Sequence, residues 1–237
     1  MKMHFKLFCC ILSVVLLGVA CKKSTDTNES AATTPPPTPA SSGASTSAPP
    51  PSAPAAGASS SDSAVGTVEA ATKMAAVDWA LKQDEIKNDP KGQWAIQATA
   101  SSTYNDAQGT AAYAANQAVG PPNVDKYGDN GSAWTAKTAD AGIEWLDLKY
   151  PRPVYATAVR VRESCGSGAV IKVELFDEQG AAHSVWAGND PTKELNYLVV
   201  ELPKTTFKTA RVRLTLATNV VPGWNEIDAV QLVGTDQ

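Results

Sequence analysis

The spacing of apolar residues changes character along the chain. Residues 7–19 form a nearly continuous apolar run, and over 24–66 large apolar side chains give way to Ser, Thr, Ala, Pro and Gly. Met74, Val77 and Leu81, with Trp79 beside them, then recur at near-helical spacing and predict one helix over 67–89. Asp89-Pro90 should stop that helix, because proline pushes the preceding residue out of the α region. Over 92–235 the period falls to two. Val159 and Val161 alternate with Arg160 and Arg162; Ile171, Val173 and Leu175 with Lys172 and Glu174; Val212, Leu214 and Leu216 with Arg211, Arg213 and Thr215. Such alternation marks strands with one face on a core and the other in water.

Turn signals separate these runs: Pro151-Arg152-Pro153, Gly166-Ser167-Gly168, Asp177-Glu178-Gln179-Gly180, Gly188-Asn189-Asp190-Pro191 and Pro222-Gly223. Short strands spaced this way predict an all-β fold, an antiparallel β-sandwich of about eight strands over 92–235. That length suffices for one core without disulfides. It has none to use, since Cys9, Cys10 and Cys21 precede the domain and leave Cys165 alone within it.

The stretch 120–134 breaks every regular pattern. Gly120-Pro121-Pro122-Asn123-Val124-Asp125-Lys126-Tyr127-Gly128-Asp129-Asn130-Gly131-Ser132-Ala133-Trp134 is too interrupted for a helix or central strand and too long for a hairpin. Loops of this size within a compact domain usually carry function. Asn123, Asp125, Asp129, Asn130, Ser132 and the carbonyls freed by glycine are the oxygens a hard cation such as calcium takes. The other reading is that Asp125, Asp129 and Asn130 are turn formers.

Five segments in order resemble a discoidin-like domain, the coagulation factor V/VIII type C group of galactose-binding-like jelly rolls. They are Thr99-Ala100-Ser101-Ser102, the loop 120–134, Glu144-Trp145-Leu146-Asp147-Leu148, Ala158-Val159-Arg160-Val161-Arg162-Glu163, and Gly223-Trp224-Asn225-Glu226-Ile227-Asp228-Ala229-Val230. The string from Gly120 to Asp129 is most similar to the discoidin-like domain of an F-box leucine-rich-repeat protein. The resemblance implies a structural calcium between the 120–134 loop and a late glutamate, with Asn123, Asp129 and Glu226 as candidate ligands; alternatively Glu226 pairs with an arginine. It also implies ligand binding by loops at one end of the sandwich, for which Tyr127, Trp186 and Trp224 are the aromatic candidates. The coagulation-factor disulfide is absent, so lipid binding by that route is not implied.

Residues 1–20 read as a secretory leader, with Lys2 and Lys6, the apolar run and small residues before a cut. Gly18-Val19-Ala20-Cys21 resembles a bacterial lipoprotein lipobox, which implies lipidation of Cys21 and membrane anchoring. Lys22 stands where an inner-membrane retention aspartate would, so the outer membrane or cell surface is expected. Residues 21–66, with eight prolines between Pro35 and Pro54, are expected to be a disordered tether.

Removing the leader leaves 18 basic against 24 acidic side chains, a charge of −6. With no basic block, nucleic acid is not an expected partner. Arg160, Arg162, Lys172, Arg211 and Arg213 form either a basic patch or a solvated face neutralised by nearby acids. His183 is the only histidine after the leader and has opposite strand parity to Ser184, so the two cannot form a nucleophile–base pair. Cys165 has no second histidine to activate it. The chain is thus expected to be no enzyme. The sequence reads as a lipid-anchored envelope protein presenting a carbohydrate-binding or other ligand-binding sandwich; the alternative is an assembly lipoprotein that docks on another envelope protein.

Overall fold

The computed structural model describes residues 61–237, so the leader, Cys21 and most of the expected tether lie outside the described residues. Helix α1 (Ser61–Lys87) is followed by nine strands: β1 (Gly92–Trp94), β2 (Gln97–Ala100), β3 (Trp134–Thr135), β4 (Ile143–Cys165), β5 (Val170–Asp177), β6 (Ala182–Ala187), β7 (Asn196–Glu201), β8 (Lys208–Ala217) and β9 (Glu226–Thr235). All pairings are antiparallel. The expected antiparallel β-sandwich is the fold observed.

The 23-residue strand β4 builds both layers. Its first part, 143–149, lies between β2 and β8, and β5 and β6 extend that layer. Its second part, 154–165, lies between β7 and β9, with β1 and β3 on the far side of β9. The register shift falls between Lys149 and Val154, where Pro151 and Pro153 sit. What the sequence read as a turn is a bend in one continuous strand. Prolines suit that position because a bulge leaves amides out of the ladder. The core between the layers contains Leu146 and Leu148 from the first part of β4 and Val159 and Val161 from the second. The same core includes Val173, Leu175, Leu214, Leu216, Leu232 and Trp134.

Period two predicts the inward residues except where the ladder slips. On β5 a register shift between Val170 and Lys172 buries Val170 and leaves the predicted Ile171 half-buried. Strand β9 departs further, being buried on both faces over Glu226 to Gly234. The 120–134 loop and the end of α1 cover its outer side through Asp228, Glu226 and Gln231, the last donating to the Ile86 carbonyl at 2.8 Å.

Only the C-terminal end of α1 is built into the domain. Ile86 is buried, and Asp89, just past the helix, pairs with Arg160 at 2.8 Å. The Arg162 guanidinium lies 5.7 Å from the Trp79 ring centre and 5.0 Å from that of Tyr197. Val68, Met74, Val77 and Leu81 stay exposed. No described helix is long and apolar enough to cross a membrane.

The candidate basic patch is neutralised in place. Asp147 takes Arg211 at 2.7 Å and Arg213 at 2.9 Å, Asp89 takes Arg160, Glu174 takes Lys172 at 3.0 Å, and Asp228 lies 3.9 Å from Arg162. The arginines also lie over aromatic rings, Arg211 over Phe176 at 4.0 Å and Arg213 over Trp145 at 4.8 Å. Arg160 and Arg162 lie on the outer side of one layer and Lys172, Arg211 and Arg213 on that of the other, so they form no single patch and each has an acidic neighbour.

Candidate binding site at the loop end

Three irregular segments meet at one end of the sandwich: residues 101–119, 120–134 and 218–226. The 120–134 loop lies along β9, held by carboxylates that accept its backbone amides. Asp228 accepts the N–H of Asn123 at 3.1 Å and of Val124 at 3.3 Å; Glu226 accepts that of Asn130 at 3.1 Å. The Gly128 amide donates to the Ser164 carbonyl at 2.8 Å. Glu226 and Asp228 share strand parity, as the alternation implies, and that parity aims both at the loop.

Beside this seam three rings assemble. Tyr104 makes edge-on contacts with Tyr113 and with Trp224, each with ring centres 5.1 Å apart. Tyr113 adopts φ 64, a conformation uncommon for a bulky side chain. It is held there by its amide on the Gly131 carbonyl at 3.0 Å and by its hydroxyl, which donates to Asp129 at 2.8 Å. That hydrogen bond is the main reason the phenol is pushed up to about 12, so Tyr113 stays a fixed donor. Strain kept by several contacts is typical of functional positions. A cleft of about 60 Å³ opens between Tyr104, Tyr113, Trp224, Asp129, Thr135 and Glu226.

The neighbouring turn supports the same platform. Gly166 has φ 53, and a Cβ there would lie 2.2 Å from the Trp224 carbonyl oxygen, so only glycine fits. Its amide donates to the Tyr127 hydroxyl at 3.1 Å, and its carbonyl accepts from Asn225 at 2.8 Å.

Of the aromatic residues singled out from sequence, Trp224 lines the cleft. Tyr127, 49% exposed, lies outside its lining. Trp186 is half-buried against the core from strand β6 and also lies outside it. Tyr104 and Tyr113 were missed. The available signal was an aromatic set in polar or small-residue loop sequence, Ser-Thr-Tyr-Asn-Asp and Ala-Ala-Tyr-Ala-Ala.

The three candidate calcium ligands do not converge as one set. Asp129 and Glu226 are brought together, whereas the backbone of Asn123 is bound to Asp228. Burial pushes Glu226 up to about 8 against the pull of the Asn130 amide, and the Asp129 carboxylate adds to the rise. Both Glu226 oxygens face the Asn130 N–H. In this arrangement a backbone amide engages those lone pairs, and the three residues do not form one coordination set. No group of three or more His, Cys, Asp or Glu is placed to hold a metal among the described residues.

The reactive side chains have structural partners. Burial first, then Glu226 and Asp129, push the Cys165 thiol up, which disfavours the nucleophilic thiolate. His183 bonds Asp177 at 2.8 Å across the β5–β6 turn and stacks on Phe207 with ring centres 4.0 Å apart.

Solved structures of similar fold have diverse ligands. They include a chitosan-binding module of a Paenibacillus chitosanase/glucanase, 14% identical, TM-score 0.43, covering 58% of this chain and 94% of that one. A family 32 carbohydrate-binding module of C. perfringens NanJ in complex with galactose is 15% identical, TM-score 0.43, covering 60% and 98%. Reduced XRCC1 bound to the DNA polymerase beta catalytic domain is 12% identical, TM-score 0.46, covering 60% and 98%. The fold does not choose among such ligands. No curated protein matches the chain significantly in sequence. A family model does match, over residues 83–237, starting within the last turns of α1, where Ile86 is buried. The chain belongs to the family described as Pappalysin-1, SD scarf domain, C-terminal.

Proposed function

We propose that the loop end of the sandwich binds carbohydrate without catalysing a reaction. The observation that carries this reading is the cluster of Tyr104, Tyr113 and Trp224, half-buried and opening beside Asp129. Sugar C–H faces pack on aromatic rings, while a carboxylate and phenol supply directional bonds to hydroxyls. The rings brace one another, so little ordering cost falls on binding. A cleft of about 60 Å³ takes one substituent and leaves the sugar ring lying across its mouth.

The test is affinity electrophoresis of the full-length protein in detergent through a panel of polysaccharides, with a glycan array beside it. At least one glycan should retard the wild type, and Trp224→Ala should weaken that binding about tenfold or more, the equivalent of roughly 1.4 kcal/mol. Trp186→Phe should leave it unchanged. No glycan bound, or equal binding by Trp224→Ala, would remove the reading.

The anchoring reading rests on residues 18–21 and places the domain on the outer membrane or cell surface through lipidated Cys21. Metabolic labelling with a fatty acid should mark wild type and miss Cys21→Ser; equal labelling would exclude an anchor there. A second reading, an assembly lipoprotein docking on another envelope protein, is favoured by exposed Val68, Met74, Val77 and Leu81 on α1. Crosslinking from α1 in cells separates the two.

A further inference from the structure

A second pair of carboxyls lies beneath the loop platform, outside the cleft. Glu163, near the end of β4, is 1% exposed, and Asp190, in the loop between β6 and β7, is 6% exposed. They are neighbours, Asp190 adding to the rise of the Glu163 carboxyl, yet neither forms an ion pair with Lys, Arg or His among the described residues. One oxygen of each is satisfied: Glu163 Oε2 accepts the Gly168 amide at 2.8 Å, and Asp190 Oδ1 accepts the Thr192 amide at 2.8 Å. The other two, Glu163 Oε1 and Asp190 Oδ2, are buried with no donor.

Backbone oxygens also line the neighbouring side of Gly168, whose amide holds Glu163. Gly168 has φ 107, and a Cβ there would lie 3.3 Å from the Thr192 carbonyl oxygen and 3.5 Å from that of Asp190. Two buried carboxylates with carbonyls around them are costly without a positive charge. Two unused carboxylate oxygens, a Thr192 hydroxyl near Glu163 and peptide carbonyls make an all-oxygen set. Such a set suits a hard divalent cation and lacks the His and Cys ligands that softer metals favour.

We propose that Glu163 and Asp190, with Thr192 and the carbonyls beside Gly168, form a buried site for a calcium-class cation. The ion fastens the β6–β7 loop to the end of β4. It thereby steadies the turn at Gly166 to Gly168, whose contacts with Tyr127 and Asn225 support the platform around Trp224. The inference is independent of what the cleft binds.

The experiment is thermal unfolding of the full-length protein at neutral pH, in EDTA and in millimolar calcium, with calorimetric titration of calcium. Calcium should raise the wild-type melting temperature by roughly 5–10 °C at a hundredfold excess over Kd. Glu163→Gln and Asp190→Asn should each lose that response. Glu163→Gln should still fold in EDTA, because its amide can donate to Asp190. Asp129→Asn should keep the full calcium shift, which places the ion here and not in the 120–134 loop. A wild type indifferent to calcium overturns the proposal and leaves the pair sharing a proton. A shift kept by Glu163→Gln and lost by Asp129→Asn overturns it too, by moving the ion to the loop.

Discussion

Replacing Trp134 by alanine is expected to destabilise the protein by about 3–5 kcal/mol, the range for emptying a large buried aromatic site. The ring is 0% exposed and packs in the main core, and its indole N–H donates to the Ser102 carbonyl at 3.1 Å. Trp134 also closes the 120–134 loop and pairs with Ile227 on β9. Its loss therefore leaves a cavity, an unpaired carbonyl and a loosened loop together. For a domain of this size the melting temperature should drop on the order of 10 °C. Because Thr135 and Asp129 line the cleft from this same segment, glycan binding should weaken along with stability. Trp134→Phe, which retains most of the ring volume and loses the N–H, should recover much of the stability. A melting point within about 2 °C of wild type for Trp134→Ala would show that the loop is not tied to the core through this residue.

Alkaline pH is expected to destabilise the protein in EDTA. Burial pushes Glu163 up to about 9, with Asp190 adding to the rise, and burial pushes Glu226 up to about 8 and Asp228 up to about 6. In the unfolded chain all three ionise in the ordinary carboxylate range. Between the two values the native state binds protons that the unfolded state has released, so stability is full at low pH and falls as pH rises. Asp228 should lose its contribution first, by about pH 6, then Glu226, and Glu163 last, near pH 9. The expected result is a melting temperature that drops on the order of 10 °C between roughly pH 5 and pH 9. Glu163→Gln should flatten the upper part of that fall, since glutamine cannot ionise. Saturating calcium should also flatten it in wild type and not in Glu163→Gln. A profile flat over the whole range would mean that the native state does not hold these protons.

Local sequence was enough to specify the strands and most of the core. A strand has period two whatever its partners, so Val159, Val161, Val212, Leu214 and Leu216 were readable as inward-facing, and all five are fully buried. The irregular 120–134 loop was also legible, because prolines, glycines and Asn/Asp pairs exclude regular structure locally. What strand alternation cannot encode is a slip in the ladder or a second covered face. Ile171 was displaced by a bulge, and the Pro151–Pro153 segment joined two apparent strands into one, since both outcomes depend on partner strands far away in sequence. Sequence marked Glu226 as a metal ligand or an arginine partner, and nothing local marked it or Asp228 as buried. They became buried because loop amides roughly a hundred residues earlier lie across β9. The cleft was legible only through Trp224. Tyr104 and Tyr113 join it from a segment with no period of its own, and only the closure of the sandwich brings that segment to the same end. The pairing of Glu163 with Asp190 was decided in the same way. Each residue is ordinary in its own segment, and their chemistry arises only where the tertiary fold removes water from both and supplies no positive side chain between them.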